Sequence, residues 1–222
     1  MISGFTGNSS GSILLVTGDF AVNPHGIKPP GVGFQAGRDT TPLGAVFGML
    51  SNTQSYTFDT NRNYVDSSGR PIGSWPLIIA VGGPLANGVV HYYETTSTTG
   101  DMAPLSFSQS GANYIWTARN GTVVASVPVS SVKVPPGTSD VFVIQILKDS
   151  GGRMVVLMYG TSYMGTWAAA YYFKYVIYPN ISSYTNSYYI IRWTDASSGP
   201  SANFIPDSGD TFTVISQGML PA

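Results

Sequence analysis

At 222 residues the chain is long enough for one large domain or two small ones, and it can bury a sizeable core without disulfides or metal. Only 9% of its residues are charged, against about 25% in ordinary soluble domains, and the formal net charge is −1, which excludes the basic footprint of a nucleic-acid or anionic-membrane binder. The absence of cysteine excludes disulfides, cysteine zinc sites, iron–sulfur clusters and cysteine nucleophiles, and a hydrophobic share of 43% argues against disorder.

The first 11 residues are rich in Gly, Ser and Asn and read as a flexible arm ahead of a single globular module over 12–222. Their start, "MISGFTGNSS", has neither the positive nor the apolar region of a signal peptide, and no apolar run is long enough to span a membrane. A buried strand is expected over 12–22, followed by a Pro/Gly loop. "DTTPLGAVFGMLSN", 39–52, opens like a helix, with an Asp or Thr cap and Pro42 in the first turn, although Gly44 and Gly48 weaken it. A short strand and a turn follow over 55–66, then a loop over 67–76.

Leu77–Val81, "LIIAV", is a five-residue apolar run between turn signals and predicts a central strand. Gly82-Gly83-Pro84 ends it, and a helix is expected from about Pro84, with Val89, Val90 and Tyr93 on one face. Residues 105–134 alternate in character around Asn120-Gly121, a strong hairpin signal. Strands over 141–148 and 154–159 flank "DSGGR", a second hairpin. "GTSYMGTWAAAYYFKYVIYP" then predicts a turn and a helix that stops before Pro179. The last strands are expected over 188–193 and 211–215. The fold class is therefore α/β or α+β: a mixed, predominantly β sheet with about three helices packed on it.

Chemistry has few places to reside. Gly82-Gly83-Pro84 sits where a nucleotide loop would, but the stretch G-G-P-L-A-N-G matches neither dinucleotide nor Walker spacing, and Pro84 removes an N–H that would hold an anion. It reads as a strand-to-helix corner. Gly160 to Gly165, G-T-S-Y-M-G, lies where hydrolases place a nucleophile elbow but is one residue too long for G-x-S-x-G. An N-cap by Thr161, Ser162 or Thr166 is the plainer reading. A secreted hydrolase using Ser162 with His91 or His25, or with paired acids, remains the alternative. Asp195, Asp207 and Asp210 are near the end of the chain; Asp207 and Asp210 are weak calcium candidates, since EF-hand spacing is absent and turn roles fit them better. Three sequons make Asn8, Asn120 and Asn180 glycosylation candidates. Plentiful Tyr and Trp leave open a carbohydrate-binding or adhesion module. No catalytic residue, cofactor or firm metal site is assigned.

Four segments, "LIIAVGGPLAN", "YGTSYMGTWAAAYYF", "YYIIRWTDA" and "IPDSGDTFTVIS", resemble in this order segments of archaeal surface-layer (S-layer) proteins and related archaeal cell-surface modules. They span roughly residues 77–216. Where that family often has a Gly/Asp-rich turn after W-x-D, this chain has "DASSGPSANFIPD", with fewer acids, which weakens calcium binding by analogy. The resemblance implies an extracellular, structural, non-catalytic role: assembly with copies of itself or with other surface-layer proteins, in a lattice, filament or stalk. A Ser/Thr/Tyr-rich, weakly charged surface, whose charge hardly changes with pH, agrees with that role. The arm over 1–11 is a candidate to add to a neighbour's edge strand.

Overall fold

The computed structural model describes residues 13–19, 54–133, 139–197 and 202–219. The helix expected over 39–52, the arm over 1–11, Asn8 and His25 lie outside these. A seven-stranded mixed sheet forms the body. It consists of β1 (Ile13–Thr17), β2 (Gln54–Phe58), β3 (Leu77–Val81), β7 (Ser139–Lys148), β8 (Met154–Gly160), β9 (Tyr188–Thr194) and β10 (Thr211–Gly218). The spatial order is β10-β9-β7-β8-β3-β1-β2. β8, β3, β1 and β2 run parallel, whereas β7, β9 and β10 are antiparallel to their neighbours. A separate antiparallel sheet joins β4 (Leu105–Ser110), β5 (Asn113–Ala118) and β6 (Val123–Pro128).

The apolar runs explain the layering. Strands covered on both faces read as continuous hydrophobic segments, and β3, β7 and β8 are buried along nearly their whole length. Alternate side chains point to opposite faces. Leu15, Ile79, Phe142, Ile144 and Met158 therefore face helix α2 (Tyr163–Tyr172), which buries Ala168, Ala169 and Ala170 against them. Leu14, Ile78, Val143, Leu157 and Tyr159 face helix α1 (Gly88–Thr95) and the small sheet, meeting Val89, Tyr93 and Trp116. The mixed sheet, the central strand at Leu77–Val81 and both hairpins match the sequence reading. At the Asn120-Gly121 turn, Gly121 has φ +84, the left-handed region such turns require.

Two helix boundaries differ from expectation. α1 begins at Gly88 rather than near Pro84, because Asn87 is its cap and 84–87 forms a tight turn, with Ala86 N and Asn87 N both donating to Gly83 O at 2.8 Å. α2 ends at Tyr172, but the chain coils on through a π turn (Phe173–Ile177) and a 3-10 turn (Tyr178–Ser183) that carries Pro179 in its first turn. A proline stops an α-helix by removing a donor, yet it is tolerated where a new turn begins. Among the described residues there are two α-helices, and no helix is long and apolar enough to cross a membrane.

Candidate functional site

In open sheets of this kind, ligands favour the carboxyl ends of parallel strands where successive connections leave on opposite faces. β3 and β8 are neighbours that meet this description, since β3 leads to α1 on one face and β8 to α2 on the other. Both corners, however, are filled from within. Asn87 caps α1: its Oδ1 accepts from Val89 N at 2.9 Å, while its Nδ2 donates to Val16 O at 3.1 Å and Val81 O at 3.0 Å, tying the ends of β1 and β3 to the helix. Asp59 accepts from Gly88 N at 2.6 Å and from Asp19 N at 2.7 Å, so a carboxylate of the chain itself occupies the positive end of α1. Gly18 makes room for this turn; a Cβ there would lie 1.8 Å from Ala86 O.

The second corner repeats the arrangement. Asp140, fully buried at the start of β7, accepts from Val141 N at 2.6 Å, Ser162 N at 3.1 Å and Gly165 N at 2.7 Å, and from the hydroxyls of Thr161 and Ser162. Burial pushes its carboxyl above the ordinary range, and the hydroxyl and amide donors oppose that rise. Close approach of the strand end to the helix needs Gly165, where a Cβ would stand 2.7 Å from Asp140 Oδ2. Ser162 is thus the helix cap, accepting from Met164 N at 3.2 Å while donating to Asp140. His91 lies on α1, across the sheet from Ser162, so the structure does not bring these two together.

A third buried carboxylate, Glu94, is the chain's only glutamate. From the last turn of α1 it accepts from Gln145 Nε2 at 2.7 Å, Phe107 N at 3.0 Å and the Tyr159 hydroxyl, joining the helix to both sheets. Gln145 is held in that orientation because its own Oε1 accepts from Leu105 N at 2.8 Å. Burial raises the Glu94 carboxyl to about 7, against the pull of its hydrogen bonds to Tyr159, Phe107 and Gln145 and the nearby Arg119 guanidinium. With Asp101, Asp149 and Asp195, six carboxylates are buried in structural roles. Sequence reading missed Asp59, Glu94 and Asp140; the signal was that acids so scarce still fall inside apolar or helical segments.

The calcium candidates are organised as turn acceptors. Asp210 takes Trp193 Nε1 at 2.8 Å, Asp207 N at 2.9 Å and Ala196 N at 3.0 Å, and Asp207 takes Gly209 N at 2.7 Å and Asn203 Nδ2 at 3.2 Å. Asp195 accepts from Phe204 N at 3.3 Å. Among the described residues no group of three or more ligating side chains forms a metal site. Of the sequons, Asn120 tips the β5–β6 turn and Asn180 lies beyond α2, both exposed.

The most conspicuous surface feature is β10, which closes one margin of the large sheet and, among the described residues, pairs with β9 alone. Its first half is anchored: Asp210 holds the strand entrance through Trp193, and Phe212 stacks on Tyr171 at 5.9 Å and meets Tyr172 at 5.2 Å. Beyond Phe212 the cover ends. Val214 is 45% exposed, Ile215 sits in a bulge at 37%, and Met219 just past the strand is 56% exposed. Tyr171 continues outward to Tyr175, ring centroids 4.7 Å apart, with Tyr175 54% exposed. Residues 211–219 contain no charge and no proline. Natural sheet edges are usually blunted by lysines, prolines or bulges; here only the bulge is present. Comparison of the chain with protein families, with curated proteins and with solved structures finds no match.

Proposed function

We propose that this is an extracellular structural protein of an archaeal cell surface, S-layer-like or a filament or stalk component, that acts by assembling with copies of itself. The observation that carries the reading is the margin at β10, an uncharged, partly apolar strand that among the described residues pairs on one side only, beside an aromatic row at Tyr171, Tyr175 and Phe212. Such an edge is a template for strand addition, in which main-chain hydrogen bonds give affinity and alternate side chains give register. Two further facts support it. Only 9% of the residues are charged, so contacting surfaces bring little like charge together. The segments that resemble surface-layer proteins are β3 with its corner, the β8–α2 junction, β9 and β10, all of them parts of the large sheet or of a corner that leaves it.

Val214→Lys tests the reading. The wild type is expected to form sheets or fibres by electron microscopy at moderate concentration, and the variant to sediment as a monomer. Its circular dichroism should be unchanged, because a half-exposed position away from the core costs about 0.5 kcal/mol or less. Wild-type protein that stays monomeric at every concentration reached, or a variant that assembles equally well, would overturn it.

A further inference from the structure

A cleft of about 560 Å³ opens at the opposite end of the sheet from the two corners, between the 66–76 loop and the β7–β8 turn. Asp66, Arg70, Ile72, Trp75, Gly152 and Arg153 are among its lining residues. The size falls in the range of about 300–1,000 Å³ typical of small-molecule sites. The walls are built rather than incidental. Asp66 Oδ1 accepts from Ser68 N at 2.8 Å and Arg70 N at 2.9 Å, folding the loop on itself. Arg153, itself buried, donates from Nε to Asp149 at 2.6 Å and from Nη1 to Pro71 O at 2.7 Å, pinning the loop to the hairpin. Arg70 donates from Nη2 to Ser150 Oγ at 3.2 Å and has Nε 3.3 Å from Asp101 Oδ2. Trp75 spends its N–H on Ile72 O at 2.9 Å, and the left-handed Gly73, φ +91, lets the chain turn close against the indole. Tyr64 backs the ring at 5.8 Å.

Besides Arg70 Nε, which is buried 3.3 Å from Asp101 Oδ2 and has no hydrogen-bond partner among the described residues, three polar atoms are left over. Among the described residues, Asp66 Oδ2, Arg70 Nη1 and Arg153 Nη2 make no hydrogen bond of their own, and all three residues line the cleft beside an apolar indole whose N–H is already used. Burial alone would raise the Asp66 carboxyl, but the hydrogen bonds from Ser68 and Arg70 prevail and hold it below the usual range, so it is an acceptor at neutral pH. Each guanidinium is matched by its own aspartate, and with Asp66 the five charged groups sum to −1 (Arg70 and Arg153 against Asp66, Asp101 and Asp149). That balance gives an anion no advantage. A hydroxyl, which donates and accepts at once, can use all three atoms. A ring with one C–H face and a rim of hydroxyls can also cover the indole. We infer that this cleft is a binding site for a neutral pyranose sugar, with Trp75 as the stacking platform and Asp66, Arg70 and Arg153 as the hydroxyl partners.

The test is an NMR titration of the full chain, kept monomeric by Val214→Lys, with maltose, cellobiose and mannobiose, and with glucuronate and glucosamine as charged comparators. At least one neutral disaccharide should shift the Trp75 indole N–H and the Gly151 and Gly152 amides saturably. Trp75→Ala should weaken that binding by about tenfold or more, the scale of a lost aromatic platform. Should the alanine variant misfold, Trp75→Phe keeps a ring in place and should weaken binding severalfold. The inference is overturned if none of the three disaccharides shifts these signals. It also fails if a charged sugar binds as well as the neutral ones, or if a folded Trp75 variant binds like the wild type.

Discussion

Replacing Glu94 by Gln should convert a pH-dependent protein into one that responds much less to pH between about 4.5 and 7. Raised from an ordinary 4.5 to about 7, the Glu94 carboxyl holds its proton more tightly in the folded chain than in the unfolded one. Its contribution to stability is therefore fully present below about 4.5 and is lost as pH climbs through about 7. The size follows from the gap of about 2.5 units at 1.36 kcal/mol each, so roughly 3 kcal/mol disappears across that window. The Gln variant does not titrate, but it carries a fixed cost. Phe107 N and Gln145 Nε2 both donate to this side chain, and Gln145 cannot turn round without abandoning Leu105 N. One amide oxygen cannot serve both donors, which costs about 1–3 kcal/mol. The variant should thus be the less stable protein at pH 4.5 and should equal or exceed the wild type above pH 7. Asp140 is also raised, yet it titrates in both proteins and cancels in the difference. Urea midpoints measured every half unit from pH 4.5 to 8 give the two curves. Parallel curves would refute the reasoning.

Two other perturbations address the corners and the C-terminal loop. Asn87→Ala removes an N-cap and the side-chain donor that reaches Val16 O and Val81 O, so urea denaturation should show a loss of about 1–3 kcal/mol with the fold retained. EDTA should leave the melting temperature unchanged, since Asp207 and Asp210 are already satisfied by amide and indole donors; a rise of several degrees on adding calcium would contradict that assignment.

What could be read in advance was whatever depends on local pattern. "LIIAV" and "VVLMY" are continuous apolar runs, and only a strand covered on both faces requires that. Asn120-Gly121 marked its turn because Gly121 adopts a left-handed conformation that glycine takes without strain. The corners were recognisable as corners, yet the groups that fill them were not. Asp59, just past β2, reaches Gly88 and Asp140 of β7 reaches Gly165 from 29 and 25 residues away, and nothing in either local sequence marks such a pairing. The start of α1 slipped for a related reason. Pro84 suits a first helical turn, but Asn87 bridges two strands and so fixes where the helix can begin. The cleft depends on Arg153 meeting Pro71 across 82 residues, a contact that only the parallel sheet creates.

Because only 9% of the residues carry charge, the outer face offers dissolved ions little to screen. Contacts between copies would rest on backbone pairing and apolar area, which salt hardly weakens. An assembly built this way would hold its strength from fresh water to brine, whereas one held by charge pairs would loosen as ionic strength rose.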